Sequence, residues 1–419
     1  MKTLKEALDI ILKNVKTAGC ESVHITYALG RIIAEDISSN RNHPPCDISA
    51  MDGYAAIFED IKGADKTNPA ELQIVDEIKA GGEPKTAIEK GQASRIMTGA
   101  PVPKGADTVI RVEDTDFSGT QVKIFAASPR GSNIRLLGEN LKIGDRVIEK
   151  GTELGPAHIG ILAMVKKSEV FVYRKPHIAV ISTGDELEGL EESFNPKKIP
   201  DANSYTVMAE LQAIGAEPIL LGIARDTQKS LEDKLRLGLE CDAVIVSGGV
   251  AEGKFDFVRP TLKSLGIDIQ FWRVAIRPGH PFAFGIGERP VFALPGNPVS
   301  SMVCCEELVV PAIRKMLGAK KLFRRTMMAE LKGNIKDKKG RMHFMRATLE
   351  ETKDGYSARE TGEQGSGILM SMVHADALLV VPTETEELKE KTPVKVQVLY
   401  GFPFQEKPNL TDDGEKTSG

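Results

Sequence analysis

The sequence predicts a multidomain α/β protein, with one parallel-sheet α/β domain and additional mostly β domains that include a C-terminal β-barrel-like domain. Three observations predict it. The chain has 419 residues, more than one ordinary domain holds, which suggests roughly three domains. Its texture from 22 to 172 is rich in Gly, Pro and short β-branched runs, with almost no long helical period. From Pro176 apolar strands, glycine-bearing loops and amphipathic helices alternate, the pattern of a parallel sheet.

The N-terminal stretch repeats Leu4, Leu8, Ile11, Leu12 and Val15 between Lys, Glu and Asp, which predicts an amphipathic helix docked on a domain and not a signal peptide. Runs such as Thr108 to Val112 and Gln121 to Ile124 predict strands in the following region. Beyond Pro176 come the strand His177 to Ile181, a helix carrying Val207, Leu211 and Ile214, and the strand Ile219 to Gly222. A helix with Leu231 and Leu235 follows, then the strand Ala243 to Val246, a helix from Phe257 to Leu265 closed by Gly266, and the strand Phe271 to Ile276. The last helix, Val299 to Leu317, stops at Gly318, and alternation such as Val394 to Val398 predicts a small all-β domain over 326 to 404. The polar tail 405 to 419 is expected to be disordered.

Composition excludes several classes. Hydrophobic residues make up 41% and charged residues 27% of the chain, as in globular proteins. With 55 Lys and Arg against 59 Asp and Glu, the net charge is −4, so no global basic field recruits nucleic acid or acidic lipid. No run of 18 apolar residues occurs, which argues against a transmembrane helix. The five cysteines include no C-x-x-C pair and no zinc-ligand spacing, which fits a reducing, cytoplasmic setting.

In a doubly wound sheet, ligands bind beyond the carboxyl ends of the strands, so four loops are expected to converge on one cleft. They are Ser182 to Leu187, Arg225 to Thr227, Ser247 to Val250 followed by Asp256, and Pro295 to Pro298. Ser247-Gly248-Gly249 offers unobstructed backbone N–H groups to an oxyanion, although an isolated S-G-G is more often only a tight turn. Asp185, Glu186, Asp226 and Asp256 bring carboxylates to one edge, where Mg²⁺ on a phosphorylated ligand is the natural neutraliser. A helix N-cap is the bland alternative for Asp185 and Asp226. Arg273, Arg277 and His280 cluster positive potential suited to an oxyanion.

Two further words lie in the N-terminal β region: Ser49-Ala50-Met51-Asp52-Gly53-Tyr54-Ala55 and Arg95-Ile96-Met97-Thr98-Gly99-Ala100. With Thr183 to Leu187, Ser247 to Val250, Pro281 to Gly285 and Pro295 to Ser300 they form six ordered words that resemble the molybdopterin molybdenumtransferase family, MoeA and the gephyrin E domain. Gly340-Arg341 with Phe344 and Arg346, and Gln364 to Gly367, extend the resemblance over about 3 to 400.

The resemblance implies insertion of molybdate into adenylyl-molybdopterin, with Mg²⁺ assistance and release of AMP, to give molybdenum cofactor. It implies an elongated homodimer of four-domain subunits, contacting the adenylyltransferase of the same pathway only transiently. The domains would be a β linker (22–45 and 143–172), the MDGYA-bearing β domain (46–142), the α/β molybdopterin-binding domain (1–21 and 173–325) and the C-terminal β domain (326–404). Catalytic roles fall by motif on Asp52, Thr98, Glu186, Asp226 and Asp256, with Asp52, Glu186 and Asp256 meeting the metal. Binding of the pterin nucleotide falls on Thr183, Gly184, Asp185, Ser247, Gly248, Gly249, Arg277, Pro295, Gly296, Asn297, Pro298 and Ser300. The pterin's own dithiolene would hold the molybdenum, which accounts for the lack of a cysteine cluster.

Three departures stand out: Asn140 where Asp is common, Ala251-Glu252 after S-G-G-V, and Arg277 and His280 where Lys is common. Molybdopterin adenylyltransferase and a non-catalytic pterin-binding scaffold are the competing readings. The extra β domains and MDGYA weigh against the first, and the lack of an appended domain or long linker against the second.

Overall fold

The computed structural model describes residues 1–193, 195–250 and 257–399. Its central sheet runs in the order Glu217–Ala224, His177–Thr183, Ala243–Ser247, Pro290–Leu294, Ala283–Ile286, Asp268–Trp272. The first four strands are parallel. The last two are antiparallel to their neighbours, so the expected parallel sheet carries an antiparallel edge. Every residue of Ala243–Ser247 and of Pro290–Leu294 is buried, which is why these strands read as unbroken apolar runs.

Helices cover both faces. Ala202–Ala213 and the long helix from Pro298 to Met316 share one core with the N-terminal helix Leu4–Asn14. The latter begins in a Thr3/Glu6 capping box and buries Ala7 and Ile11 completely, so it docks as expected. Gln228–Gly238 and Val258–Ser264 pack on the opposite face. The long helix is interrupted by a π segment, Cys305–Val309, whose residues are all buried.

The strand expected at Phe271 to Ile276 starts earlier, at Asp268, and ends at Trp272. Arg273 takes φ +101° and breaks it. Ile276–Arg277 then leaves the central sheet to pair in parallel with Met342 and His343. That second partner belongs to the C-terminal domain, where Met342–Thr352, Gly355–Glu360, Thr326–Leu331, Pro393–Val398 and Ala377–Val381 close into a five-stranded barrel. Closure removes the sheet edges that a small β domain otherwise exposes.

A separate six-stranded sheet holds Thr108–Arg111, Gly53–Ala56, Gln92–Ile96, Ala70–Ile78, Gln121–Ile124 and Thr115–Ser118 in that order. Two-stranded pairs, Cys20–His24 with Glu169–Tyr173 and Ile37–Ser38 with Arg146–Ile148, connect it to the rest. Beside them lies the helix Pro156–Met164, which the reading of this region as mostly β passed over. Its sequence PAHIGILAM is apolar on nearly every side and gives no amphipathic period to detect. Among the described residues no helix is long and apolar enough to cross a membrane.

Candidate active site

A cleft of about 800 Å³ opens beyond the carboxyl ends of the central strands. Three of the four predicted loops line it, through Thr183 and Glu186, through Ser247 to Val250, and through Pro295 to Pro298 with Ser300. The fourth, Arg225 to Thr227, lies one step aside, where Arg225 and Asp226 line a small adjoining cavity with Thr183 and Gly249.

The floor depends on glycine. Gly248 and Gly249 both take left-handed φ, +97° and +65°. A Cβ on Gly248 would stand 2.7 Å from the Thr183 carbonyl oxygen, so only glycine lets this strand end turn back beneath the first loop. Asn203, which the sequence reading passed over, ties two loops together. Its Nδ2 donates to Ser247 Oγ at 2.9 Å and to the Gly296 carbonyl at 2.8 Å. The start of its helix is anchored by Asp201, which accepts from the Ser204 amide (3.1 Å), the Ser204 hydroxyl (2.6 Å) and the Ser182 hydroxyl (2.8 Å).

The carboxylates divide into two kinds. Glu186 reaches the cleft, and among the described residues its side chain accepts no hydrogen bond. A Cβ on Gly184 would come within 2.5 Å of both Glu186 carboxylate oxygens, so that glycine is the space the side chain occupies. Asp185 and Asp226 are different: the Asp185 amide donates to Asp226 Oδ2 at 3.3 Å and the Asp226 amide to Asp185 Oδ1 at 3.2 Å. This reciprocal brace joins the first two loops. Neither is a helix N-cap, since Thr227 caps Gln228–Gly238 by accepting from Ser230. Asp256 lies outside the described residues, as do Ala251 and Glu252.

The opposite wall is cationic and comes partly from the barrel. Arg277, His280, Arg341 and His343 line it, with Gln364, Gly365 and Ser366 at its rim. Arg277 Nη1 donates to Asp337 Oδ1 at 2.6 Å, and Asn297 Nδ2 donates to Ser366 Oγ at 3.0 Å, closing the seam between barrel and sheet domain. Burial, reinforced by Arg341 and Arg273, pushes His280 below the usual imidazole pKa, so it adds less charge here than a lysine would. Arg273 does not line the cleft; its left-handed backbone (φ +101°) instead accepts the Lys2 amide on its carbonyl. In the sequence Arg341 stands only as part of a barrel word and His343 carries no signal, because nothing local places a C-terminal strand against the sheet's ligand edge.

Asp52 and Thr98 are brought together with each other but not with the cleft. The Thr98 amide (2.7 Å) and hydroxyl (2.8 Å) both donate to Asp52 Oδ1, and these two bonds, the amide first, hold the Asp52 carboxyl below its usual pKa. Neither residue is among those lining the cleft. Asn140 also lies in this lobe, its amide donating to the His43 carbonyl.

Among the described residues no three His, Cys, Asp or Glu side chains converge on a metal position. Mg²⁺ commonly takes one or two protein carboxylates and completes its shell with phosphate oxygens and water. Among the described residues Glu186 and Asp201 are the cleft-lining carboxylates, and with Asp201 held by Ser182 and Ser204 a single carboxylate, Glu186, is compatible with a cation carried in by a phosphorylated substrate.

Comparison with known proteins matches three successive stretches of the chain. A model of the MoeA N-terminal region (domain I and II) matches residues 2–165, one of a probable molybdopterin binding domain matches 179–315, and one of the MoeA C-terminal region (domain IV) matches 328–399. The chain is 36% identical over 399 residues to a molybdopterin molybdenumtransferase of Nostoc sp., covering 91% of this chain and 90% of that protein. It is 35% identical over 390 residues to the Haemophilus influenzae protein of the same name, covering 92% and 95%. The crystal structure of a molybdopterin biosynthesis MoeA protein from Pyrococcus horikoshii superposes with a TM-score of 0.83 at 31% identity, over 95% of this chain and all of that one.

Proposed function

The chain belongs to the molybdopterin molybdenumtransferase family, and from that premise we propose that it inserts molybdate into adenylyl-molybdopterin, releasing AMP and yielding molybdenum cofactor. The observation that carries the reading is the two-sided cleft. One wall offers glycine-spaced amides and Glu186, and the other offers Arg277, Arg341, His280 and His343.

The division matches the substrates. The Gly248 amide is taken by the Leu294 carbonyl at 3.0 Å, so the amides of Gly249, Gly296 and Asn297 are the ones that suit the phosphate of an adenylate, which needs close approach without side-chain obstruction. The cationic wall suits a tetrahedral dianion such as molybdate, for which planar guanidinium donors are well matched. With the phosphate on one wall and the oxyanion on the other, a pterin dithiolene lying between them is held against the molybdenum it receives, the proximity that converts a bimolecular step into a local one. Mg²⁺, when bound, neutralises phosphate charge; Glu186 is its protein ligand in this cleft, with Asp52 and Asp256 the further candidates.

The reading includes a homodimer in which the lobe bearing Asp52 and Thr98 completes the partner's cleft, since neither residue lines the cleft of its own chain. The reaction is assigned to the cytoplasm, in keeping with five free cysteines. Transient contact with the adenylyltransferase that makes the substrate follows from handing over a reactive adenylate. Turnover of purified protein with adenylated pterin, Mg²⁺ and either molybdate or tungstate is the direct test. Formation of metal-loaded cofactor with AMP release is expected, and failure with both oxyanions would leave a pterin-binding protein.

A further inference from the structure

Asp337 lies behind the cationic wall, not in it. Its side chain is 3% exposed and gives one carboxylate oxygen to each of two neighbours. Arg277 Nη1 donates to Oδ1 at 2.6 Å, and His343 Nδ1 stands 3.0 Å from Oδ2. Arg277 comes from the sheet domain and His343 from the barrel, and the two are backbone partners in the parallel pairing that joins these domains. Both line the cleft and Asp337 does not.

A carboxylate oxygen only accepts, so His343 Nδ1 carries the proton in this pair and donates it to Asp337. Nε2 is thereby the nitrogen left to meet a ligand, and among the described residues it makes no hydrogen bond. The charged groups facing His343 are Asp337, Arg277 and Arg346. Burial is the largest influence and lowers its pKa, Asp337 opposes this, and the two arginines add to the lowering. The free cleft therefore favours a neutral imidazole with a lone pair on Nε2. A dianion arriving beside Arg277 reverses that balance, because negative charge close to the ring favours imidazolium.

We propose that Asp337 and His343 form a proton-coupled carboxylate–imidazole pair: His343 takes up one proton from solvent as a tetrahedral oxyanion binds beside Arg277, then delivers it from Nε2 to an oxygen of that oxyanion. The transfer breaks the Nε2–H bond and forms an O–H bond. The imidazole returns to neutral, the oxyanion becomes its conjugate acid with one unit less negative charge, and no electrons change hands. A protonated oxygen is a far better leaving group than an oxo group when sulfur ligands replace it. Asp337 acts through its neighbours as a positioning residue, fixing the His343 tautomer and aiming Arg277. The inference rests on the cleft accepting an oxyanion.

The test is titration calorimetry of the full chain with molybdate, in two buffers of different ionisation enthalpy, from pH 6 to 9. Wild type is expected to take up close to one proton per molybdate, with affinity falling about tenfold per pH unit on the alkaline side. His343→Gln, whose amide can still donate to Asp337, is expected to bind with no proton uptake and with affinity nearly independent of pH. Asp337→Asn should lose uptake and weaken binding together, and circular dichroism reports whether it folds. Asp337→Glu should recover part of both. Molybdate binding without proton uptake in wild type, or unchanged uptake in His343→Gln, overturns the proton-coupled pair and leaves the oxyanion reading intact. Absence of molybdate binding in wild type overturns both.

Discussion

Gln397, in the last barrel strand, donates its side-chain amide to Glu307 Oε1 at 2.6 Å, across the seam between the barrel and the π segment of the long helix. Glu307 is one of three buried acids there. Glu306 accepts Arg324 Nε at 2.6 Å, while Glu210 is fully buried and its Oε2 has no hydrogen-bond partner among the described residues. Three carboxylates with one nearby guanidinium cannot all ionise cheaply in a low-dielectric seam.

Burial, with Glu306 adding to it, pushes the Glu307 pKa from 4.5 to about 8. The folded state therefore holds a proton that the unfolded state releases. Its contribution to stability is full below about pH 4.5 and is lost as the pH rises to about 8, at up to about 1.4 kcal/mol per pH unit. Glu307→Gln keeps the amide contact and removes the titration. Urea unfolding at pH 5, 7 and 9 should show wild type losing stability relative to Glu307→Gln as pH rises, and parallel pH profiles for the two proteins would contradict the assignment.

Gly248→Ala should damage fold and turnover together. The new Cβ meets the Thr183 carbonyl oxygen at 2.7 Å with φ at +97°, and strain of this kind costs on the order of 1–3 kcal/mol. Gly296→Ala, whose Cβ meets nothing nearer than 3.8 Å, is the matched control in the facing loop. A melting temperature lowered in the first and kept in the second is expected. Equal melting temperatures would show that the S-G-G loop tolerates a side chain and is not fixed by backbone geometry.

Glu186→Gln should abolish most insertion at limiting Mg²⁺ and leave the far-ultraviolet circular dichroism unchanged, because the carboxylate contributes charge to the cleft and packs against no core. Gly184→Ala provides an independent route to the same loss, since its Cβ displaces the Glu186 carboxylate from the position it now fills. Full activity in Glu186→Gln would remove the residue from the mechanism.

The strands and loops of the central domain were legible because burial on both faces writes itself as apolar runs, and because a strand's end fixes where its loop must be. The antiparallel edge was not, for nothing in Ala283–Ile286 records the direction of its neighbour. Arg273 shows a second limit: a left-handed arginine ends a strand in the middle of a continuous apolar pattern. Within the site, Glu186 and the glycine loop could be placed from local pattern. Asn203 and His343 could not, because each gains its role from a residue far away in the chain: Asn203 from Gly296, and His343 from Arg277. Asp185 and Asp226 were legible as cleft-edge acids, but their mutual brace depends on two loops meeting at the same sheet edge.

The pairing of Asp52 with Thr98 leads to the most exacting test. Both residues belong to the separate six-stranded sheet region, they hold each other through two hydrogen bonds, and they do not line the cleft of their own chain. A two-fold dimer lets such a lobe reach the neighbour's cleft. Subunits carrying Asp52→Ala and subunits carrying Glu186→Ala should each be inactive alone, and mixing them under exchange conditions should restore turnover. In a mixed dimer one cleft then carries both defects and the other carries neither. With random pairing half the dimers are mixed and half of their clefts are whole, so recovery should approach roughly a quarter of wild type. If Asp52 serves its own chain's cleft, every cleft keeps one defect whatever the pairing. Turnover no higher than the sum of the separate variants, with subunit exchange verified by mass-tagged protomers, would then exclude the shared cleft.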